Sequence, residues 1–215
     1  MDVEFREVEH AFSWGERRAI ERIAEDTVAE VQHLLPALPD RLVLRVDADR
    51  NVSQMTSAAA TFVVPNRLYW SVDPERGEGV AATAETHLRP MLYHELHHLV
   101  RHSHVKRNSL MDDVISEGMA SAFERDYAGA RYPFSDYPDG VATWVTELLS
   151  LPPSADREQW MFHHADGRLW IGFRAGTFLA DQAMNTSGLS SAELVTTATA
   201  RVVELAGYDS GEALP

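Results

Sequence analysis

Leu88, Met91, Leu92, Leu96, Leu99 and Val100 recur at spacings of three and four, so this stretch reads as an amphipathic helix with one buried face. Within it stands the run His94-Glu95-Leu96-His97-His98. Residues four apart on a helix lie on one face, about one turn from each other. His94 and His98 can therefore offer two imidazole nitrogens to a single Zn²⁺. Glu95 falls beside that position, where its carboxylate can take a proton from an activated water. No other stretch restricts the chain as much, because the helix must serve the core and the metal at once.

Two histidines do not complete a catalytic zinc site, and a third protein ligand is expected. The polar stretch Ser103-His104-Val105-Lys106-Arg107-Asn108 reads as a turn, with Ser109 as N-cap of a second helix running to Tyr127. If the two helices form an antiparallel hairpin, the residue level with the His94/His98 pair lies near 116 or 117. Glu117 is there, and Gly118 beside it removes a side chain so that the helices can approach closely. The rival is His104, which stands where the pattern HExxHxxGxxH places a third histidine. That pattern needs a glycine to turn the chain back, and this sequence has Arg101 at the position. A helix continuing to Ser103 carries His104 roughly 9 Å beyond His98. The reading takes Glu117 as the third ligand, with His104 as the alternative. His33, His87, His97 and His102 are read as surface or internally satisfied residues.

The rest of the 215-residue chain suits one domain, with residues 1–103 forming a lobe that holds a sheet and the histidine helix, and 104–215 a helical lobe. There is no cysteine, so any zinc is held by histidine and carboxylate. The balance of 33 acidic against 19 basic residues, a net charge of −14, disfavours nucleic acid and anionic membrane surfaces as partners. No stretch approaches the ~18 apolar residues of a membrane span, and the acidic start lacks a leader pattern. A cytoplasmic location is the expectation; the oligomeric state is not legible.

Helices are expected over Gly15 to Leu35, Val141 to Leu149, from a Ser154 cap through Trp160, and over Leu169 to Met184. A last helix is expected from the Ser190/Glu193 capping box to a point before Gly207. Strands are expected over Leu42 to Val46, Ala60 to Val64 and Leu68 to Val72. Pro90 either kinks the histidine helix or starts it afresh. Gly129 to Gly140 reads as an ordered loop. The fold class is α+β and helix-rich: a small N-terminal sheet with helices, then a helical second half, with the histidine helix between them.

Three blocks carry a resemblance. They are His94 to Arg101, Ser116-Glu117-Gly118-Met119-Ala120, and Trp170-Ile171-Gly172-Phe173-Arg174-Ala175-Gly176. The chain resembles a zincin of the glutamate-ligand type, a gluzincin, and more closely a bacterial family of predicted Zn-dependent proteases (domain of unknown function 2268). The likeness covers Pro90 to Gly207 well and the N-terminal part loosely. It implies a zincin-like fold, Zn²⁺ as cofactor, and a peptide or protein as substrate. It also implies an edge strand that pairs with the substrate backbone, for which Ala58 to Phe62 is the candidate. Two positions depart from the pattern. Ser121 stands where related sites place a carboxylate that orients the first histidine, which leaves Glu124 or Asp113 for that role. Phe173 stands where the family usually has tyrosine.

The expected chemistry is hydrolysis of peptide bonds, with His94, His98 and Glu117 holding zinc and Glu95 as general base. A donor for the oxyanion is expected among His163, His164, Tyr132, Tyr137 and Arg174, with no choice among them. The alternative is a catalytically silent zinc-binding or interaction module on a protease scaffold. A weaker third reading is hydrolysis of a non-peptide amide.

Overall fold

A computed structural model describes residues 1–6, 12–56, 58–63, 65–75 and 79–209. The chain forms two compact units, Met1–Val100 and Arg101–Pro215. The first holds strands β1 (Asp2–Phe5), β2 (Val43–Ala48), β3 (Ala58–Val63) and β4 (Arg67–Val72) in one mixed sheet, ordered β1-β2-β4-β3. Alternation makes these segments strands: Leu44 and Val46 of β2 and Leu68, Trp70 and Val72 of β4 are buried, while their neighbours are less so. β1, β2 and β4 run parallel, with Leu44 opposite Leu68 and Val46 opposite Trp70. β3 is antiparallel to β4 and forms the edge. The three expected strands appear with ends displaced by one or two residues; Val64 lies outside the described residues. β1 was not anticipated, because Asp2-Val3-Glu4-Phe5 alternates over only four residues, too short a run to stand out from an acidic terminus.

Helix α1 (Trp14–Leu34) opens with a capping box in which Ser13 and Glu16 satisfy each other's backbone N–H. It buries Ile20, Ile23, Val28 and Val31 and stops just short of Pro36. Next, α2 (Val80–Thr83), a π-helical turn (Ala84–Leu88) and α3 (Arg89–His104) run on without a break. Pro90 therefore does not restart the helix. Its ring and missing N–H are incompatible with a regular turn over the carbonyl four residues back, and the widened π-turn just before it relieves that conflict.

The second unit is helical apart from an isolated bridge between His163 and Leu169. Ser109 caps α4 (Leu110–Phe123) through a box with Asp112, and α4 runs on as a π-helical turn (Glu124–Ala128) ended by Gly129 at φ +75°. α5 (Val141–Leu149), α6 (Arg157–Met161), α7 (Ile171–Ser187) and α8 (Thr199–Leu205) follow. Val114, Ile115 and Met119 of α4 share a core with Val145, Leu148, Ala175, Leu179 and Val202. Two expectations are corrected here. Asp156, not Ser154, caps α6. The Ser190/Glu193 box forms, but residues 191–196 make turns and the last helix begins only at Thr199. Arg101 takes the carbonyls of Val195 and Thr197, groups that a continuous helix would use for its own ladder. Among the described residues no helix is long and apolar enough to cross a membrane.

Candidate metal centre

His94, Glu95 and His98 all lie on α3. The Nε2 atoms of His94 and His98 stand 3.0 Å apart, with their rings edge to face at 79°. The ligating atoms of His94, His98 and Glu117 all lie within 4.8 Å of one another. Two ligands each about 2.1 Å from a tetrahedral ion are separated by about 3.4 Å, so two imidazoles and a carboxylate in this arrangement fit a single metal ion. His98 is buried, whereas His94, Glu95 and Glu117 are half-buried. His104, the rival ligand, is exposed at the last residue of α3 and is not in this group. With Arg101 in place of a helix-breaking glycine, α3 continues past the point where a turn back would be needed.

The edge strand reaches α3 as well. Phe62 of β3 stacks on the His98 imidazole, with ring centroids 5.4 Å apart and planes at 23°. Spacing alone does not reveal this contact, because it depends on how β3 lies against a helix more than thirty residues later.

On α4, the residues around Glu117 serve other helices. A Cβ on Gly118 would lie 1.9 Å from the carbonyl carbon of Gly176, and one on Gly176 would lie 2.0 Å from the Val114 carbonyl oxygen. Gly118 thus admits α7 and not, as the hairpin argument had it, α3. The pair also explains why the second and third sequence blocks both carry glycine: they are two sides of one helix crossing. A further glycine of the third block, Gly172, makes room for Met161, whose sulfur would lie 2.2 Å from an added Cβ.

His97 and His102 are internal, one of the two outcomes expected for them. His97 is fully buried. The His102 Nε2 and Ser116 Oγ lie 2.7 Å apart, which ties the end of α3 to the residue preceding Glu117. His33 is exposed, and burial lowers the pKa of His87.

The residues proposed to replace the missing carboxylate now separate. Asp113 is 3 % exposed and is held by Arg107 and Arg157. Glu124 is equally buried and lies two turns from Glu117 on the same face of α4. Ser121 is buried, and its Oγ has no hydrogen-bond partner among the described residues. The oxyanion candidates separate too. Tyr137 donates to Asp181 at 2.8 Å, Arg174 donates to the Pro133 carbonyl, and His164 Nδ1 lies 2.9 Å from Asp166. His163 is exposed. Tyr132 is half-buried, and burial together with the Glu124 charge raises its pKa well above the usual phenol range. Phe173 packs edge-on to Phe134 and tilted against Phe162, each at 5.7 Å.

A family described as Predicted Zn-dependent protease (DUF2268) matches residues 27–204. The match reaches well into the N-terminal half, further than the three blocks suggested. No curated protein and no solved structure matches the chain.

Proposed function

The chain belongs to that family of predicted Zn-dependent proteases, and on this premise we propose that it is a zinc metallopeptidase with a zincin-like site of the glutamate-ligand type. The observation that carries the reading is the convergence of His94, His98 and Glu117 to within 4.8 Å. These three residues would hold the ion, and a two-histidine, one-glutamate donor set is a known catalytic zinc pattern. Bound there, zinc would supply a Lewis acid that makes water a nucleophile near neutral pH and polarises the scissile carbonyl.

The protein's own groups do the rest. The Glu95 carboxylate accepts a proton from the attacking water as the carbon–oxygen bond forms, then delivers it to the amine nitrogen as the carbon–nitrogen bond breaks. Phe62 holds the His98 ring by stacking, which limits its rotation. Tyr132 is one of the five oxyanion candidates, and burial together with the Glu124 charge raises its pKa, which keeps the hydroxyl protonated and able to donate. The edge strand β3 would present its backbone to an extended peptide.

A second reading, a catalytically silent zinc module, is favoured by the unpartnered Ser121 Oγ in place of a carboxylate. One comparison separates the two. Zinc-loaded wild type and Glu95→Gln are incubated with a diverse peptide mixture and the products read by mass spectrometry, with metal content measured in both. Cleavage by wild type alone, at equal zinc content, establishes the peptidase. Equal zinc with no cleavage by either protein supports the silent module, and cleavage by both removes Glu95 from its role.

A further inference from the structure

We propose that a cavity between α4 and α7 binds a neutral, polyhydroxylated small molecule, a mono- or disaccharide in size. The inference is independent of the zinc reading above.

Gly118 and Gly176 mark the close crossing of the two helix backbones. Beyond it, Ser121 and Arg125 from α4 and its π-helical extension, with Thr177, Asp181 and Asn185 from α7, line a cavity of about 960 Å³. That volume lies in the range of ~300–1,000 Å³ usual for small-molecule sites. All of these residues belong to the second unit. The two most buried residues of the lining are Ser121 and Thr177, which marks its inner end.

Hydrogen-bonding groups at that end are left open. Ser121 is 4 % exposed, and its Oγ, which can both donate and accept, has no partner among the described residues. An unpaired buried hydroxyl is destabilising, so a ligand group or solvent must complete it. Thr177, 2 % exposed, donates to the Phe173 carbonyl at 2.9 Å and keeps its lone pairs. Arg125 gives Nε and Nη2 to Asp126, and Nη1 and Nη2 to Asp181, which uses four of its five N–H groups. Asp181 accepts from Tyr137 as well, which leaves one of its roughly four lone-pair positions. The open positions are therefore both donors and acceptors, while the charges behind them are already paired. A cationic ligand would have to take Asp126 or Asp181 from Arg125, and an anionic one would meet both carboxylates. Nor is this a metal site, because among the described residues the group able to hold an ion is His94, His98 and Glu117. A hydroxyl donates and accepts at once, so a polyol matches this surface without burying a new charge. The exposed Tyr137 and Leu189, which also line the cavity, supply apolar surface for the C–H groups of the same molecule.

The test titrates the full chain, labelled with nitrogen-15, with maltose, lactose, sucrose and myo-inositol, and separately with L-arginine, L-glutamate, glycylglycine and inorganic phosphate. Amide chemical shifts give the dissociation constants. Wild type is compared with Ser121→Ala, Thr177→Val and Thr146→Val. The last removes a hydroxyl from α5, outside the cavity, where Thr146 donates to the Ala142 carbonyl much as Thr177 does to Phe173. At least one neutral probe is expected to bind with a Kd of about 1 mM or tighter. Ser121→Ala and Thr177→Val should each weaken it by about two- to ten-fold, and Thr146→Val should leave it unchanged. Unfolding temperatures establish that the variants are folded, and if one cavity variant is not, the other decides. No binding by any neutral probe, binding that the cavity variants do not weaken, or binding confined to the charged probes overturns the proposal.

Discussion

Alanine at Gly118 puts a methyl group where the structure has no room for one. The added Cβ would sit 1.9, 2.1 and 2.5 Å from the carbonyl carbon, oxygen and Cα of Gly176. All three are backbone atoms, so no rotamer change relieves the clash. To reach ordinary contact at 3.4 Å, α4 and α7 must part locally by about 1.5 Å. Overpacking a core costs about 1–3 kcal/mol, and a backbone neighbour places this case at the upper end. A gap of 0.5–1 Å already forfeits a quarter to a half of the dispersion energy of the atoms it separates. Alanine's better helix propensity offsets about 1 kcal/mol of this. The net loss is therefore about 2–3 kcal/mol, which for a chain of this length lowers the unfolding temperature by roughly 4–12 °C. Gly15→Ala is the matched control, because it lies in the first turn of α1 with nothing within 4 Å of the added Cβ. It should leave stability unchanged or raise it by up to about 1 kcal/mol. Thermal unfolding followed by far-UV circular dichroism reads both variants in metal-free protein. If Gly118→Ala melts at or above the wild-type temperature, the close crossing of α4 and α7 is wrong, and with it the account of the second and third sequence blocks.

Glu117→Ala should lose tightly bound zinc while His104→Ala keeps it, measured by metal content after dialysis against a weak chelator; the reverse result would make His104 the ligand. Tyr93 gives a pH prediction. Its hydroxyl donates to Glu30 at 2.7 Å, and burial, reinforced by that bond, pushes its pKa up to about 12. The folded protein thus holds this proton more tightly than the unfolded chain, where the value is ~10. The contribution is complete below about pH 10 and is lost as pH rises from there toward 12. Tyr93→Phe should flatten that alkaline limb of the unfolding temperature, and an identical limb in the variant would remove Tyr93 as its source.

Much of the candidate site was readable because it is local. His94, Glu95 and His98 depend only on helical periodicity, and Ser109 caps α4 because a serine followed three residues later by an acid suits an N-terminus anywhere. Glu117 required one assumption more, a hairpin turn near 106; the chain leaves the helix between His104 and Leu110, where the polar stretch was read as a turn. Where the reading failed, a distant partner intervened. The Ser190/Glu193 box promised a helix, but Arg101 draws two of its carbonyls away. Gly118 was assigned to the wrong neighbour, since a missing side chain shows that something approaches and not what it is.

The sequence by itself therefore determined which residues can share a helix face, and that a metal in a chain without cysteine has only histidine and carboxylate donors, because those follow from backbone periodicity and side-chain chemistry. Tertiary structure alone decided that Phe62 lies on His98, that His102 meets Ser116, that Gly118 faces Gly176, and that Arg101 reaches Thr199. Each of these contacts joins segments whose separation along the chain carries no periodic signal. Packing chooses such partners by shape and by the need to satisfy buried donors, and neither is written in any one segment.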